Sequence, residues 1–257
     1  MEETLLERAQ KGDTAALQTI LQQVAPAVHR FGLRMCRHEA DADEVMQDTL
    51  LAITKNLSSF EGRSSLTSWV FTLARTACSR RRRGQKNQPH VSDEDAPEPI
   101  AHEPNPEEAA ANRQLADRVT AAIDSLSAEQ REVLQLRDVE GLSGDETAAA
   151  LGVSLDAMKS RLHRARAALE RKLRSALEPP KPSCPDVAAM FSRKVEGELD
   201  EHTCAEMQAH LDGCSRCADS CQALNTALTA CRASTAKKVP PEVQERIRAL
   251  IRQLTAA

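Results

Sequence analysis

The chain of 257 residues has no tyrosine, one tryptophan (Trp69) and four phenylalanines. Any core must therefore be aliphatic. Glycine is scarce, while Ala, Leu, Arg and Glu dominate, a mixture that favours helices over strands. No apolar run approaches the roughly 18 residues of a membrane span, which argues against a membrane partner. The opening stretch MEETLLERAQKGD is charged and amphipathic and has no apolar signal-peptide segment. A cytoplasmic location is expected, with the eight cysteines mostly reduced and no disulfide framework.

A net charge of −4 excludes little, but the charges are segregated. Arg75, Arg80, Arg81, Arg82, Arg83 and Lys86 form one basic block. Lys159, Arg161, Arg164, Arg166, Arg171, Lys172 and Arg174 form another. Residues 88–110 are rich in Asp, Glu and Pro and contain no Lys or Arg. That composition marks a linker, and EPPKPSCP at 178–185 marks a second break. The expected architecture is all-α: a helical bundle over 1–86, an acidic linker over 87–112, a helix-turn-helix unit over 113–177 and a cysteine-rich unit over 184–257.

Asp13 is placed to cap a long helix bent at Pro26. A helix over about 41–57 follows. Leu66, Trp69, Val70, Leu73 and Ala77 recur at helical spacing and predict one buried stripe, whose helix runs on into four consecutive arginines. Such a cluster exceeds what a helix C-terminus needs and suits phosphates.

Ser143-Gly144-Asp145-Glu146 has the form of a capping box. Gly152 supplies a tight turn, and Ser154 is placed to cap the next helix, as in a helix-turn-helix. Leu155, Met158, Leu162, Ala165 and Leu169 share one face of that helix. Ser160, His163, Arg164 and Arg171 lie opposite, with Lys159, Arg161 and Arg166 on the shoulders. The pattern also fits an ordinary amphipathic helix with a solvated charged face, but the capped turn favours DNA. Asp156, Ala157, Ser160 and Arg161 are then nearest base edges, and the later arginines reach phosphates.

Six cysteines lie in the last unit: Cys184, Cys204, Cys214, Cys217, Cys221 and Cys231. His210, Cys214, Cys217 and Cys221 recur at i, i+4, i+7 and i+11, which on one helix places them within about 60° of arc. Thiolate and imidazole together suit Zn(II), Cu(I) or Cd(II). Cys36 and Cys78 read as small core residues. The segment VQERIRALIRQL at 243–254 is amphipathic.

The stretch 126–173, with KSRLHRAR at 159–166, resembles region 4 of extracytoplasmic-function sigma factors. DADEVMQDTLLAI at 41–53 is similar to that family's polymerase-binding helix, and GRSSLTSWVFTLARTACSRRRR at 62–83 to its −10 element helix. EMQAHLDGCSRCADSCQAL, with Cys184 upstream, is similar to the zinc-binding anti-sigma domain. The combination resembles the CorE-like group.

These resemblances imply a non-enzymatic sigma factor that binds the β′ clamp and β flap of RNA polymerase core and promoter DNA. Asp41, Asp43, Glu44, Gln47 and Asp48 would meet polymerase. The loop 56–65, with Ser58, Ser59 and Arg63, would hold a flipped −10 base. Trp69, Arg75 and Arg80 to Arg83 would add DNA contacts. Cys184, His210, Cys214 and Cys217 would bind metal, with Cys204, Cys221 and Cys231 as further ligands. The tail would contact the sigma regions in cis and sense copper, zinc or cadmium without a separate anti-sigma factor. The alternatives are a structural zinc or redox-switch tail, a helix-turn-helix regulator without sigma activity, and a thiol enzyme, which the absence of a strand–helix context around Cys214-x2-Cys217 disfavours.

Overall fold

The computed structural model describes residues 4–36, 38–85, 118–173, 183–235 and 240–255. The linker expected at 87–112 lies outside the described residues, as do the side chains of Arg82 and Cys231. The fold is all-α, with no strand among the described residues. The helices are α1 (Leu5–Gln10), α2 (Thr14–Met35), α3 (Glu39–Asn56), α4 (Leu66–Gln85), α5 (118–124), α6 (Ala128–Leu134), α7 (Gly144–Leu151), α8 (Leu155–Leu173), α9 (Val187–Val195), α10 (Glu201–Gly213), α11 (Ser215–Thr235) and α12 (Pro241–Thr255). Among the described residues, none is long and apolar enough to cross a membrane.

Contacts group these helices into two compact units. The first holds α1 to α4, α7 and α12. Asp13 caps α2 by accepting from the Ala16 N–H at 3.0 Å, and α2 continues through Pro26. Gly32 lets α2 approach α3 closely, since a Cβ there would lie 3.1 Å from the Ala42 backbone. Leu21, Phe31, Leu50, Ile53 and Phe71 form the centre, with the Phe31 and Phe71 rings 5.5 Å apart. This corrects the expectation of a purely aliphatic core: the few phenylalanines are concentrated where the helices meet.

Helix α4 corrects the expected stripe. Its deeply buried residues are Ser68, Val70, Phe71, Ala74, Ala77 and Cys78, while Leu66, Trp69 and Leu73 are only half-buried. The reason is contact on more than one side. The helix packs against α2 and α3, and Ser68 Oγ also donates to the Glu146 carbonyl of α7 at 3.0 Å. A face pressed from several directions buries a wider arc than a single stripe. The Sγ atoms of Cys36 and Cys78 lie 3.9 Å apart.

The last helix joins this first unit. Val243, Ile247 and Ile251 of α12 are buried, and the helix packs on α2 and α3. Gln18 Nε2 donates to Thr255 Oγ1 at 2.8 Å.

The second unit holds α5, α6, α8 and α9 to α11. Its apolar centre includes Leu136, Met158, Leu162, Leu169, Met207 and Leu224. Beside these sits a fully buried cation, Arg166. Its Nε and Nη2 donate to the two oxygens of Asp138 at 3.0 and 2.6 Å. Its Nη1 donates to Ser192 Oγ at 2.9 Å and its Nη2 to Glu196 at 2.8 Å. Arg137 also grips Glu196, at 2.9 Å. Burying a charge is tolerated only when it is paired and hydrogen-bonded. Removing Arg166 leaves Asp138 buried without its bidentate partner. Arg166→Ala is therefore expected to destabilise the second unit by about 3–5 kcal/mol, measured by urea unfolding; an unchanged midpoint would refute this role.

Candidate functional site

In the first unit, the acids expected to meet polymerase divide into two sets. Gln47 and Asp48 are exposed. Glu44 is half-exposed and pairs with Arg81. Asp41 faces inward, at 6% exposure, and accepts from Arg81 Nε at 2.9 Å. That is a correction, because its carboxylate is spent on tying α3 to α4. Asp43 lies 3.3 Å from Nε2 of the buried His29. Arg246 of α12 reaches Asp43 at 3.1 Å and Glu39 at 3.0 Å. Burial pushes the His29 imidazole down, and the Asp43 charge only partly offsets this.

The loop between α3 and α4 begins with a 3-10 turn, Leu57–Ser59. Gln10 Nε2 holds it by donating to the Leu57 and Phe60 carbonyls at 3.2 and 2.7 Å. Phe60 packs on Trp69 with ring centroids 5.1 Å apart, so the half-buried Trp69 already has a protein ring beside it. Ser58, Ser59 and Arg63 are exposed, and Arg63 pairs with Glu61. On α4, Arg75 donates to the Ala150 carbonyl at 2.9 Å. Arg80 and Arg83 are exposed.

Gly152 and Ser154 precede α8 in the expected roles. Gly152 takes the left-handed conformation, φ +66°, and Ser154 Oγ accepts from the Ala157 N–H at 3.2 Å. Along α8, Asp156, Ser160 and Arg164 are exposed, and Ala157 and Arg161 are half-buried. Lys159 and His163 are half-buried because a carboxylate covers them. Lys159 Nζ lies 2.6 Å from Glu198, and His163 Nε2 lies 3.7 Å from it. Burial lowers the His163 pKa, with Glu198 opposing. Arg166 corrects the expectation that it grips phosphate, because no solvent reaches it. Burial pushes Glu196 up, but Arg166 and Arg137 outweigh that and hold it below the usual carboxylate range.

The residues expected as ligands come together from three places. Cys184 precedes α9, His210 is on the last turn of α10, and Cys217 is on the first turn of α11. Cys214 sits between α10 and α11 in extended conformation, φ −138°, ψ 96°. One ligand atom from each of the four lies within 4.8 Å of all the others. The single helix expected over 210–221 is thus overturned. On one straight helix, i and i+7 are separated by about 10 Å of rise, too far for one ion. The break at Gly213–Cys214 folds α11 back and removes that separation. The carbonyl of Cys214 then accepts from the Cys217 and Ala218 N–H groups at 3.1 and 3.0 Å, opening α11.

Two observations fit a metal. The Sγ atoms of Cys184 and Cys214 are 3.9 Å apart, near the roughly 3.8 Å edge of a tetrahedron with Zn–S bonds of about 2.3 Å. His210 Nε2 is buried with no hydrogen-bond partner among the described residues, as a lone pair kept for a cation would be. Without a cation, the Cys217 N–H lowers the Cys214 pKa, while burial pushes Cys217 up to about 12. A coordinated dication reverses the second effect, because a ligating thiol is deprotonated. Cys204 and Cys221 are half-buried outside the quartet, and burial raises the Cys221 pKa.

Asp138, Ser192, Glu196, Glu198 and Arg246 were not singled out in the sequence. Each is polar and matters through a partner distant in the chain, which no local spacing reveals.

Three family models match: "Sigma-70 region 2" over residues 20–88, "Sigma-70, region 4" over 116–169 and "Putative zinc-finger" over 184–218. The ECF RNA polymerase sigma factor SigE of Mycolicibacterium smegmatis is 31% identical over 160 residues, covering 60% of this chain and 62% of that protein. The ECF RNA polymerase sigma-E factor of Escherichia coli is 29% identical over 182 residues, covering 67% of this chain and 94% of that protein. Among solved structures, CnrH in complex with the cytosolic domain of CnrY is similar at 26% identity and a TM-score of 0.50, over 68% of this chain and 97% of that one. With these three segments following one another in a single chain, this protein carries sigma-70 region 2 and region 4 domains followed by the "Putative zinc-finger" segment, and it is similar to the ECF RNA polymerase sigma factors.

Proposed function

We propose that this chain is a cytoplasmic, non-enzymatic factor that directs RNA polymerase core to specific promoters, and that its own C-terminal segment controls it through a bound metal. The observation that carries the control is that the segment bearing the ligand quartet is clamped to α8, the helix proposed to read the −35 element. Ser192 and Glu196 of α9 both bind Arg166 of α8. Ligands on the approach to α9, on α10 and at the start of α11 are then mechanically linked to the DNA-reading helix.

The remaining roles follow the exposed surfaces. Asp43, Glu44, Gln47 and Asp48 contact the β′ clamp. Ser58, Ser59, Arg63, Trp69 and the arginines at the end of α4 engage the −10 element. Asp156, Ala157, Ser160, Arg161 and Arg164 engage the −35 element, joined by Lys159 and His163 when Glu198 leaves them. Cys184, His210, Cys214 and Cys217 bind Zn(II), Cu(I) or Cd(II), and Cys204, Cys221 and Cys231 are the supply of further thiolates. A bound Zn(II) would supply a tetrahedral tie between the start of α9, the end of α10 and the start of α11. A metal shifts activity only as far as it prefers one conformation of the segment. Control within one chain requires no separate anti-sigma factor.

One distance favours a second reading. Cys184 and Cys214 are near enough, at 3.9 Å, to form a disulfide after a small movement, which would make the tail a redox switch in the absence of metal.

Run-off transcription with purified core polymerase, titrated with Zn, Cu and Cd, tests the main reading. A promoter-specific transcript whose yield follows one metal is expected, and Cys214→Ser is expected to lose that response. No specific transcript under any metal condition would sink the sigma assignment; a response to oxidant alone would replace metal control with redox control. The raised Cys217 pKa also sets a sign. Binding must displace thiol protons, so zinc affinity should rise with pH through neutrality, and Cys217→Ser should flatten that rise; competition with a chromophoric chelator measures both. Finally, Arg246 ties α12 to Glu39 and Asp43 on the proposed clamp-binding face. Arg246→Glu is expected to strengthen binding to core polymerase in a fluorescence titration, and an unaltered affinity would show that α12 does not compete there.

A further inference from the structure

Helix α9 ends in a Schellman motif. The Gly197 N–H donates to the Lys194 carbonyl at 3.0 Å and the Glu198 N–H to the Arg193 carbonyl at 2.9 Å, with Gly197 left-handed at φ +71°. This geometry satisfies the last carbonyls of the helix and reverses the chain within two residues. It leaves two carboxylates, Glu196 and Glu198, on either side of one glycine. Both are aimed at α8. Glu196 goes inward to Arg166 and Arg137 and anchors the turn. Glu198 goes to the rim, where it meets Lys159 at 2.6 Å and His163 at 3.7 Å.

Lys159 and His163 are one helical turn apart on α8, so they present one strip of cationic and imidazole N–H groups. A side-chain carboxylate set between them offers what a backbone phosphate offers, an anion with oxygens at hydrogen-bonding distance. We infer that the turn closing α9 is an acidic lid on α8, with the Glu198 carboxylate occupying the place of a DNA phosphate. This rests on the reading of α8 as the DNA-gripping helix, and it names how the tail holds that helix off DNA. The lid is partial. Ser160 and Arg164 stay exposed on the neighbouring face, so a duplex can approach, but it has to displace Glu198 to gain the Lys159 contact. Each phosphate contact forgone removes one released counterion from the binding equilibrium.

The test is fluorescence anisotropy of the full chain, metal-loaded, with a labelled random-sequence DNA duplex over a range of salt. Glu198→Gln keeps the shape of the side chain and removes its charge. It is expected to tighten duplex binding by about threefold, the modest gain that releasing a partly solvated ion pair allows. The slope of log affinity against log salt should steepen by about one unit. Adding Lys159→Ala to Glu198→Gln should cancel both changes. Circular dichroism and zinc content, unchanged in Glu198→Gln, confirm that the fold survives. Wild-type affinity and slope in Glu198→Gln, or a gain that persists with Lys159→Ala, would overturn the lid. Run-off transcription with core polymerase reports separately on sigma activity. A chain whose Glu198→Gln variant gains duplex affinity yet yields no transcript keeps the lid and loses the sigma reading.

Discussion

Arg166 carries a guanidinium that no solvent reaches, and the second unit is arranged around satisfying it. Asp138 takes it bidentately, while Ser192 and Glu196 take the remaining N–H groups. Two separate stretches of chain must therefore converge on one side chain of α8: the turn that follows α6, with Asp138, and α9 together with the residue that closes it, with Ser192 and Glu196. Such a cluster adds less net stability than an apolar core of equal volume, but it is costly to break because its members would be stranded. It specifies register. Once Glu196 is committed to Arg166, the Schellman turn places Glu198 over Lys159, and the peptide that leads to α10 starts from a defined point.

The same logic appears independently in the first unit. There Arg81 spends itself on Asp41 and Glu44, and Arg246 of α12 spends itself on Glu39 and Asp43. In each unit, residues from the C-terminal third of the chain supply the counter-charge to a surface proposed to bind polymerase or DNA. Charged surfaces that await large polyionic partners are costly to leave exposed alone, and partial neutralisation in cis lowers that cost while remaining displaceable. The pairs involving Lys159 and Arg246 are partly solvated, and such pairs contribute little stability. They suit a contact that must open.

Much of the local structure was readable from residue patterns. Asp13 and Ser154 cap helices as their positions suggested. Gly152 supplies the turn. Leu155, Met158, Leu162, Ala165 and Leu169 line one face of α8, and Val243, Ile247 and Ile251 one face of α12. These features depend on neighbours three to eleven residues apart, and helix geometry alone relates them. The failures share one cause. The α4 stripe was misplaced because the helix is packed from more than one side. Arg166 looked like a shoulder arginine for DNA because nothing near it in sequence announces Asp138 or Glu196. The ligands at 210–221 looked like one helical row because spacing does not reveal that Gly213 and Cys214 interrupt the helix.

By itself the sequence determined the helical class, the order of the segments and the basic character of α4 and α8, which rest on composition and short-range periodicity. It named Cys184, His210, Cys214 and Cys217 as the ligand set only through the resemblance to the zinc-binding anti-sigma domain, since periodicity alone put Cys221 in the row and left Cys184 out. Only the tertiary structure decided which of those groups are available. It buried Arg166 and Asp41, covered Lys159 and His163 with Glu198, and folded α10 against α11 so that three thiols and an imidazole share a space 4.8 Å across. Availability is a matter of desolvation and pairing between residues far apart in the chain. Those quantities exist only once the helices have packed.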